Sequence, residues 1–133
     1  MNPQDILSQN VLGSIATVSE DGSPWVTPLH VFSDGRAVYW FSSERADHSQ
    51  NIAREPLASL VVWLPDTNEG PKGFYLNGTV AKLSEAESDQ ARTLVEARLG
   101  TIPAVFASAP AYKMSIGVKN EDKSRGKCWY FYT

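Results

Sequence analysis

Alternating apolar and polar residues, interrupted by two Asp-Gly turns, predict three β-strands in the first third of the chain. The segments 11–18, 25–32 and 37–42 are rich in β-branched and aromatic residues, which pack well on a pleated surface. Asp-Gly between two such segments is a strong hairpin signal, because glycine accepts the positive φ that a tight turn needs. Pro28 cannot donate a hydrogen bond, so its strand is expected at an edge, a seam or a bulge of the sheet.

The same analysis predicts four more strands in the rest of the chain. Residues 57–64 are apolar at nearly every position, which indicates a strand buried on both faces. Residues 112–119 alternate strictly between apolar and polar side chains, which is typical of a half-buried strand. The two remaining strands are predicted over 74–83, with a bend at Gly78, and over 127–133.

Helical patterns separate or flank these strands. Ser84 and Glu87 form a capping box before an amphipathic segment, and Pro56 ends an earlier helix because it disfavours helical geometry at the preceding residue. Helices are therefore predicted over 3–9, 43–54 and 84–99, with a short helical turn over 102–108.

About seven strands in antiparallel hairpins, with short helices between them, predict a single α+β domain, mainly β, over residues 1–133. A sheet of many short strands is expected to close into a barrel, because closure leaves no strand edge exposed. The first helix is expected to cap one end of that barrel.

Composition and charge exclude several classes of protein. One cysteine and two histidines cannot form an internal disulfide or a closed four-ligand zinc site. A net charge of -3 does not fit a non-specific nucleic-acid binder, although local basic patches stay possible. Apolar runs are too short for a membrane span, and no signal peptide is recognisable, so a reducing cytoplasm is the expected location.

One candidate site lies where the third strand leads into the second helix, around Ser42, Ser43, Arg45, His48 and Ser49. Free backbone N–H groups and the helix dipole favour an anion at such a junction, and hydroxyls with a cation would complete a phosphate site. The alternative is that Ser43 only caps the helix while Arg45 and His48 are solvated.

Two further clusters could contact a flat ligand. A strand around Pro28 whose amides are not all used by a neighbour could offer them to a planar heterocycle; otherwise it is an ordinary edge strand. The aromatic residues 129–132 form either a stacking surface or a core or dimer contact. His30 and His48 lack the spacing of metal ligands, so no metal is expected. No nucleophile or nucleotide-binding motif is present, so any enzymatic reactivity would come from a bound cofactor.

The strings over residues 6–63 and 74–100 together resemble the pyridoxamine 5'-phosphate oxidase-like split barrels, which bind FMN. The strand, Asp-Gly turn, strand order, followed by a serine-rich helix start ending in HSQNI, carries the resemblance, and VFASAP and KCWYF are similar to a small uncharacterised branch of that family. The resemblance implies an antiparallel Greek-key split barrel and a homodimer with two flavin sites at its interface.

The resemblance also assigns residues to the cofactor. In the family, one strand lies along the flavin ring, a strand end and helix start hold the phosphate, and a C-terminal tryptophan reaches the flavin across the dimer interface. The positions implied here are Thr27, Pro28, Leu29 and His30 for the ring, Phe41, Ser42, Ser43, His48 and Ser49 for the phosphate, and Trp129 for the cross-interface contact.

This chain departs from the family pattern at three places. Asp47 and His48 replace an Arg-Lys pair, Gly73 stands near the position of a flavin-contacting glutamine, and the oxidase's basic C-terminal substrate arm is absent. Oxidation of pyridoxamine phosphate is therefore not expected. The sequence predicts an FMN-binding protein, an oxidoreductase or flavin reductase on an unknown small substrate. The alternatives are a split-barrel dimer that binds haem, a deazaflavin or another flat ligand, or a dimer with no ligand.

Overall fold

The computed structural model describes residues 2–9, 11–65, 70–101, 104–124 and 128–133, without the side chain of Val105. Its helices are α1 (Pro3–Gln9), α2 (Asp47–Arg54) and α3 (Glu85–Leu99), with a 3-10 helix at Ala104–Phe106. Its strands are β1 (Leu12–Val18), β2 (Pro24–His30), β3 (Phe32–Ser33), β4 (Ala37–Phe41), β5 (Leu57–Leu64), β6 (Lys72–Thr79), β7 (Ala81–Lys82), β8 (Ala111–Ser115) and β9 (Cys128–Tyr132).

Two sheets form the body of the fold. The five-stranded sheet has the order β2-β1-β5-β6-β9, and the four-stranded sheet has the order β3-β4-β8-β7. The predicted α+β, mainly β class is confirmed, with seven described strands of five or more residues and two of only two residues. One detail differs: β6 and β9 pair in parallel, whereas the other pairs are antiparallel.

The main hydrophobic core lies on the inner faces of both sheets, and a second cluster, which includes Phe41, Val95 and Phe106, lies between the four-stranded sheet and α3. Trp40 of β4, Ile15 of β1 and Phe74 of β6 have no exposed surface. The first helix contacts β3, β5 and β6 and buries Ile6 in the same cluster, so it covers one end of the core. Within the described ranges, no helix has the length and apolar character that crossing a membrane requires.

The prediction that residues 57–64 are buried on both faces is wrong for a single chain. Along β5 the side chains alternate, with Leu60 and Val62 buried while Leu57 is 54% and Trp63 is 38% exposed. Three of the four outward side chains, those of Leu57, Val61 and Trp63, are apolar, and in the described part of the chain this face stays partly exposed. The apolar sequence of β5 therefore predicts burial correctly for the inward face and incorrectly for the outward face.

The second helix begins later than predicted. Residues 43–46 form a turn in which the Ala46 N–H donates to the Ser43 carbonyl at 3.2 Å, and α2 starts at Asp47. Ala46 is the N-cap and provides no side-chain hydrogen bond, so Ser43 does not cap this helix. His48 and Ser49 nevertheless lie in the first turn of α2, as the phosphate-site prediction requires.

Three other local predictions are confirmed. Ser84 and Glu87 form the reciprocal capping box of α3, and Gly100 ends that helix in a left-handed conformation. Pro28 lies in β2, which is an edge strand of the five-stranded sheet. Gly78 has a φ of 144°, and β6 ends one residue later.

Candidate functional site

The end of β4 and the start of α2 are joined by one short hydrogen bond. His48 Nε2 lies 2.7 Å from Ser42 Oγ, and the His48 side chain is largely buried. Burial lowers the pKa of His48 below its ordinary value because it disfavours the imidazolium, while the carboxylate of Asp47 acts in the opposite direction. The imidazole is therefore mainly neutral near pH 7 and is held against a hydroxyl at a helix N-terminus.

Ser49 is the next residue of the same helical turn. It is only 3% exposed, and its hydroxyl has no hydrogen-bond partner within the described residues. A buried polar group without a partner costs about 1 to 3 kcal/mol. The first N–H groups of an α-helix also have no intrahelical acceptor. The start of α2 thus combines an imidazole, the Ser42 hydroxyl, an unsatisfied hydroxyl and the helix dipole, a donor set suited to an anion.

A buried polar bridge fixes α2 to the neighbouring strand. Asn51 Nδ2 donates to Thr17 Oγ1 at 3.0 Å, and Arg54 donates to Asn51 Oδ1 at 2.7 Å. Asn51 and Thr17 are both buried. Sequence reasoning missed this pair, although Asn51 lies three residues after His48, on the helical face that also buries Ile52.

The predicted ring-binding residues lie on β2 and in the same region of the fold. Strand β2 contacts both α2 and β4, so the ring and phosphate predictions converge on one part of the chain. Pro28 and His30 are exposed, Thr27 is half-buried, and its hydroxyl accepts a hydrogen bond from Trp25 Nε1 at 3.0 Å. The Leu29 side chain is buried, so only its backbone can face a ligand on the outside of this strand.

Phe41, Ser43 and Trp129 complete the predicted set. Phe41 is buried at the end of β4, and Ser43 lines a cavity of about 560 Å³ that borders the turn before α2. Trp129 is half-buried on β9, which lies at the opposite edge of the five-stranded sheet from β2. Within one chain the predicted residues other than Trp129 therefore lie on neighbouring elements. Gly73 lies on β6, paired with Cys128 of β9, and is likewise on the far side of this sheet from β2.

Among the described residues, no three His, Cys, Asp or Glu side chains come close enough to bind a metal ion together. Another open cavity, of about 500 Å³, lies on the outer face of the five-stranded sheet. Its lining includes Ala16, Leu57, Ser59, Asn77 and Tyr132. This cavity is separate from the start of α2. It lies on the exposed outer face of the sheet, beside β5.

Comparison with protein families gives a match over most of the chain. A family model described as pyridoxamine 5'-phosphate oxidase matches residues 3–119. A pyridoxine/pyridoxamine 5'-phosphate oxidase from Nostoc punctiforme (strain ATCC 29133 / PCC 73102) is 33% identical over 78 residues. That alignment covers 58% of this chain and 35% of the relative, so the chain corresponds to about a third of that longer protein.

Two solved structures have the same fold, and their names refer to different ligands. A FAD-binding protein from Mesorhizobium loti superposes with a TM-score of 0.66 at 20% identity, covering 86% of this chain and 87% of its own. A haem storage protein from Vibrio cholerae superposes with a TM-score of 0.67 at 16% identity, covering 84% and 85%. At these identities the likeness concerns the fold.

Proposed function

Because this chain belongs to the pyridoxamine 5'-phosphate oxidase family, whose model matches residues 3–119, we propose that it is a dimeric FMN-binding protein. The observation that carries the proposal is the start of α2. There His48 lies 2.7 Å from the Ser42 hydroxyl, and the buried Ser49 hydroxyl has no partner within the described residues. These groups are suited to the terminal phosphate of FMN.

The phosphate end of the proposed site works through charge. A bound phosphate near His48 stabilises the imidazolium and raises its pKa, which burial holds low in the free protein. The N–H groups of the first turn of α2 and the Ser42 and Ser49 hydroxyls would donate to the phosphate oxygens. Asp47 opposes the anion but favours the imidazolium, so its two effects partly cancel.

The ring end of the proposed site is the edge strand β2. Its outer side presents Pro28 and His30, whereas the half-buried Thr27 and the buried Leu29 face the other side of the strand. An edge strand has backbone groups that no neighbouring strand uses, and these can bind the polar edge of a flavin ring. Strand β2 contacts α2, so the two ends of the proposed site lie on neighbouring elements.

The proposed dimer would cover the outer face of the five-stranded sheet. Large apolar side chains lie exposed on β5, β2 and β9, which is unusual for a monomer. The most exposed of them on the outer face are Val26, Leu57, Trp63 and Tyr132. A second copy on this face would bury them. A cross-interface contact by Trp129 would require this side chain to leave the hydrophobic core, against which it packs in a single chain.

Bound FMN would supply hydride chemistry at the N5 atom of its ring, and an oxidoreductase activity on a small substrate belongs to this proposal. The chain's own residues bind the phosphate, orient the ring along β2 and, through the partner copy, shield it from water. A cytoplasmic location is also part of the proposal and rests on the single, unpaired cysteine.

Haem binding is the second candidate. The haem storage protein from Vibrio cholerae has the same fold, and His30 is an exposed imidazole on the proposed ring-binding strand. An imidazole in such a position can bind haem iron.

Parallel titrations of the purified protein with FMN and with hemin distinguish the two candidates. The FMN proposal predicts quenching of flavin fluorescence at micromolar concentration and a higher melting temperature with FMN. A shifted haem absorption band that disappears in His30→Ala, with no response to FMN, would favour haem binding. No response to either ligand would contradict both.

A further inference from the structure

Residues 106–110, which come after α3 in the chain, pack against both ends of the proposed site. The ring of Phe106 has edge contacts with His30 at 6.0 Å and with Phe32 at 5.7 Å, and it stacks on Phe41 at 5.5 Å between centroids. His30 belongs to the proposed ring-binding strand, and Phe41 precedes the serines of the phosphate end. Phe106 thus supports both ends of the site.

The same segment also reaches the phosphate end through the backbone. The Ser42 N–H donates to the Pro110 carbonyl at 3.2 Å, and Ser42 in turn contacts His48. The Ala111 N–H donates to the buried Ser88 hydroxyl of α3 at 2.9 Å. A displacement of residues 106–110 would therefore change two contacts at once, the one between Phe106 and His30 and the one between Pro110 and Ser42.

One side chain of α3 holds this segment in place. Arg92 Nη1 donates to the carbonyls of Phe106 at 3.2 Å and Ala109 at 2.8 Å, and its Nη2 donates to Asp89 Oδ1 at 2.7 Å. Its guanidinium lies 5.7 Å from the centroid of the Phe41 ring, and its side chain is only 13% exposed. A planar guanidinium can hold two carbonyls, a carboxylate and an aromatic face at once, which an ammonium group cannot do in the same geometry.

We propose that Arg92 is a positioning residue of the ligand site: by holding residues 106–109 it sets His30 and Ser42 in their relative places. Arg92 itself does not line the proposed site, so it acts through Phe106 and Pro110. The identity of the ligand rests on the proposed function, whereas the effect of Arg92 on His30 and on the Ser42–His48 pair does not.

The chain contains a matched control for this role. Arg98 lies on the same helix, and its Nη2 also donates to two backbone carbonyls, those of Leu7 at 3.0 Å and Ser8 at 2.6 Å. Those carbonyls belong to α1, away from β2 and the start of α2. Arg98→Ala therefore removes a similar set of hydrogen bonds without changing the support of the site.

The experiment compares wild type, Arg92→Ala, Arg92→Lys and Arg98→Ala by FMN titration and by NMR of the imidazole groups. Only His30 and His48 contribute imidazole signals, because the sequence has two histidines. Arg92→Ala is expected to shift both signals and weaken FMN binding by about tenfold, the size of one lost positioning contact. The FMN affinity and imidazole signals of Arg92→Lys should lie between those of Arg92→Ala and wild type. Arg98→Ala should resemble wild type in both measurements.

The proposal is overturned if both imidazole signals have the same positions in the Arg92 variants as in Arg98→Ala. Arg92→Lys answers the question if Arg92→Ala does not fold, because it retains the charge and most of the side chain. The imidazole signals are read without ligand. Failure of wild type to bind FMN would therefore count against the proposed function alone, and the test of Arg92 would still stand.

Discussion

At the scale of single residues, the start of α2 combines a buried imidazole with a hydroxyl that has no partner in the described structure. The Ser42 hydroxyl makes a hydrogen bond to His48, whereas the more deeply buried Ser49 hydroxyl makes none to any described residue. Folding alone gives no reason to bury an unsatisfied hydroxyl, since that group lowers stability. A ligand that accepts its hydrogen bond would give one.

Ser49→Ala is expected to raise the free energy of unfolding by up to about 1 kcal/mol, because it removes a buried hydroxyl without a partner. The same change should weaken FMN binding, since one donor to the phosphate is lost. Chemical denaturation and FMN titration measure the two effects.

Ser42→Ala is the control for this prediction. It removes a hydrogen bond that exists and should lower stability while also weakening FMN binding. Equal destabilisation by the two substitutions would show that the Ser49 hydroxyl is satisfied in the folded protein.

At the scale of elements, the position of α2 depends on its buried bridge to β1. Thr17→Val retains the shape of the side chain but leaves Asn51 Nδ2 without its acceptor at a buried position. We expect the free energy of unfolding to fall by about 1 to 3 kcal/mol. The double variant Thr17→Val/Asn51→Ala should cost less than the sum of the single variants, because the two groups interact directly.

Thr93→Val on α3 is the control for the bridge, because its hydroxyl is exposed and bonds only within its own helix. It should change stability by less than about 0.5 kcal/mol. Strictly additive effects at positions 17 and 51 would mean that the bridge does not anchor α2.

Most elements could be predicted from the sequence because their signals are local. The Asp-Gly turns, the capping box at Ser84 and Glu87, and the alternation near Met114 depend on neighbours in the chain. The first residue of α2 could not be predicted from such local signals. A helix capped by the Ser43 hydroxyl and a turn over residues 43–46 both fit the local sequence, and only the folded structure shows that the turn forms.

The residues of the site that sequence reasoning missed depend on distant contacts. Arg92 contacts carbonyls 14 and 17 residues away, and Asn51 contacts Thr17 across 34 residues. One signal for Arg92 was present in the sequence. It is a charged residue on the face of α3 that buries Ser88, Ala91 and Val95. The pairing of β9 with β6 in parallel is non-local for the same reason.

At the scale of the whole molecule, the exposed apolar face predicts a homodimer. Trp63→Glu places a charge on the outer face of β5, near the end of the strand, and should convert the protein to a monomer with weakened FMN binding. Light scattering at micromolar concentration measures the mass, and wild type should have the mass of two chains.

Leu99→Glu is the matched control, since Leu99 is an exposed apolar residue at the end of α3, away from the five-stranded sheet. It should leave the dimer intact. A wild-type mass equal to one chain would contradict the dimer and the shared site together.

The central claim is that the start of α2 holds the phosphate of FMN through His48. Burial lowers the pKa of free His48, and a bound phosphate raises it, so binding takes up a proton and affinity should weaken as pH rises from about 6.5 to 8. Below that range the phosphate itself protonates, with a pKa near 6. Riboflavin, which has the same ring and no phosphate, should bind more weakly and without this pH dependence.

The most direct test is a fluorescence titration of FMN and riboflavin into wild type, His48→Ala and His48→Lys at the two ends of this pH range. His48→Ala should weaken FMN binding by about tenfold, or about 1.4 kcal/mol, and remove its pH dependence. His48→Lys should tighten FMN binding and also remove the dependence, with riboflavin unaffected by either change. Identical FMN curves for all three proteins, or equal affinity for FMN and riboflavin, would contradict a phosphate site at His48.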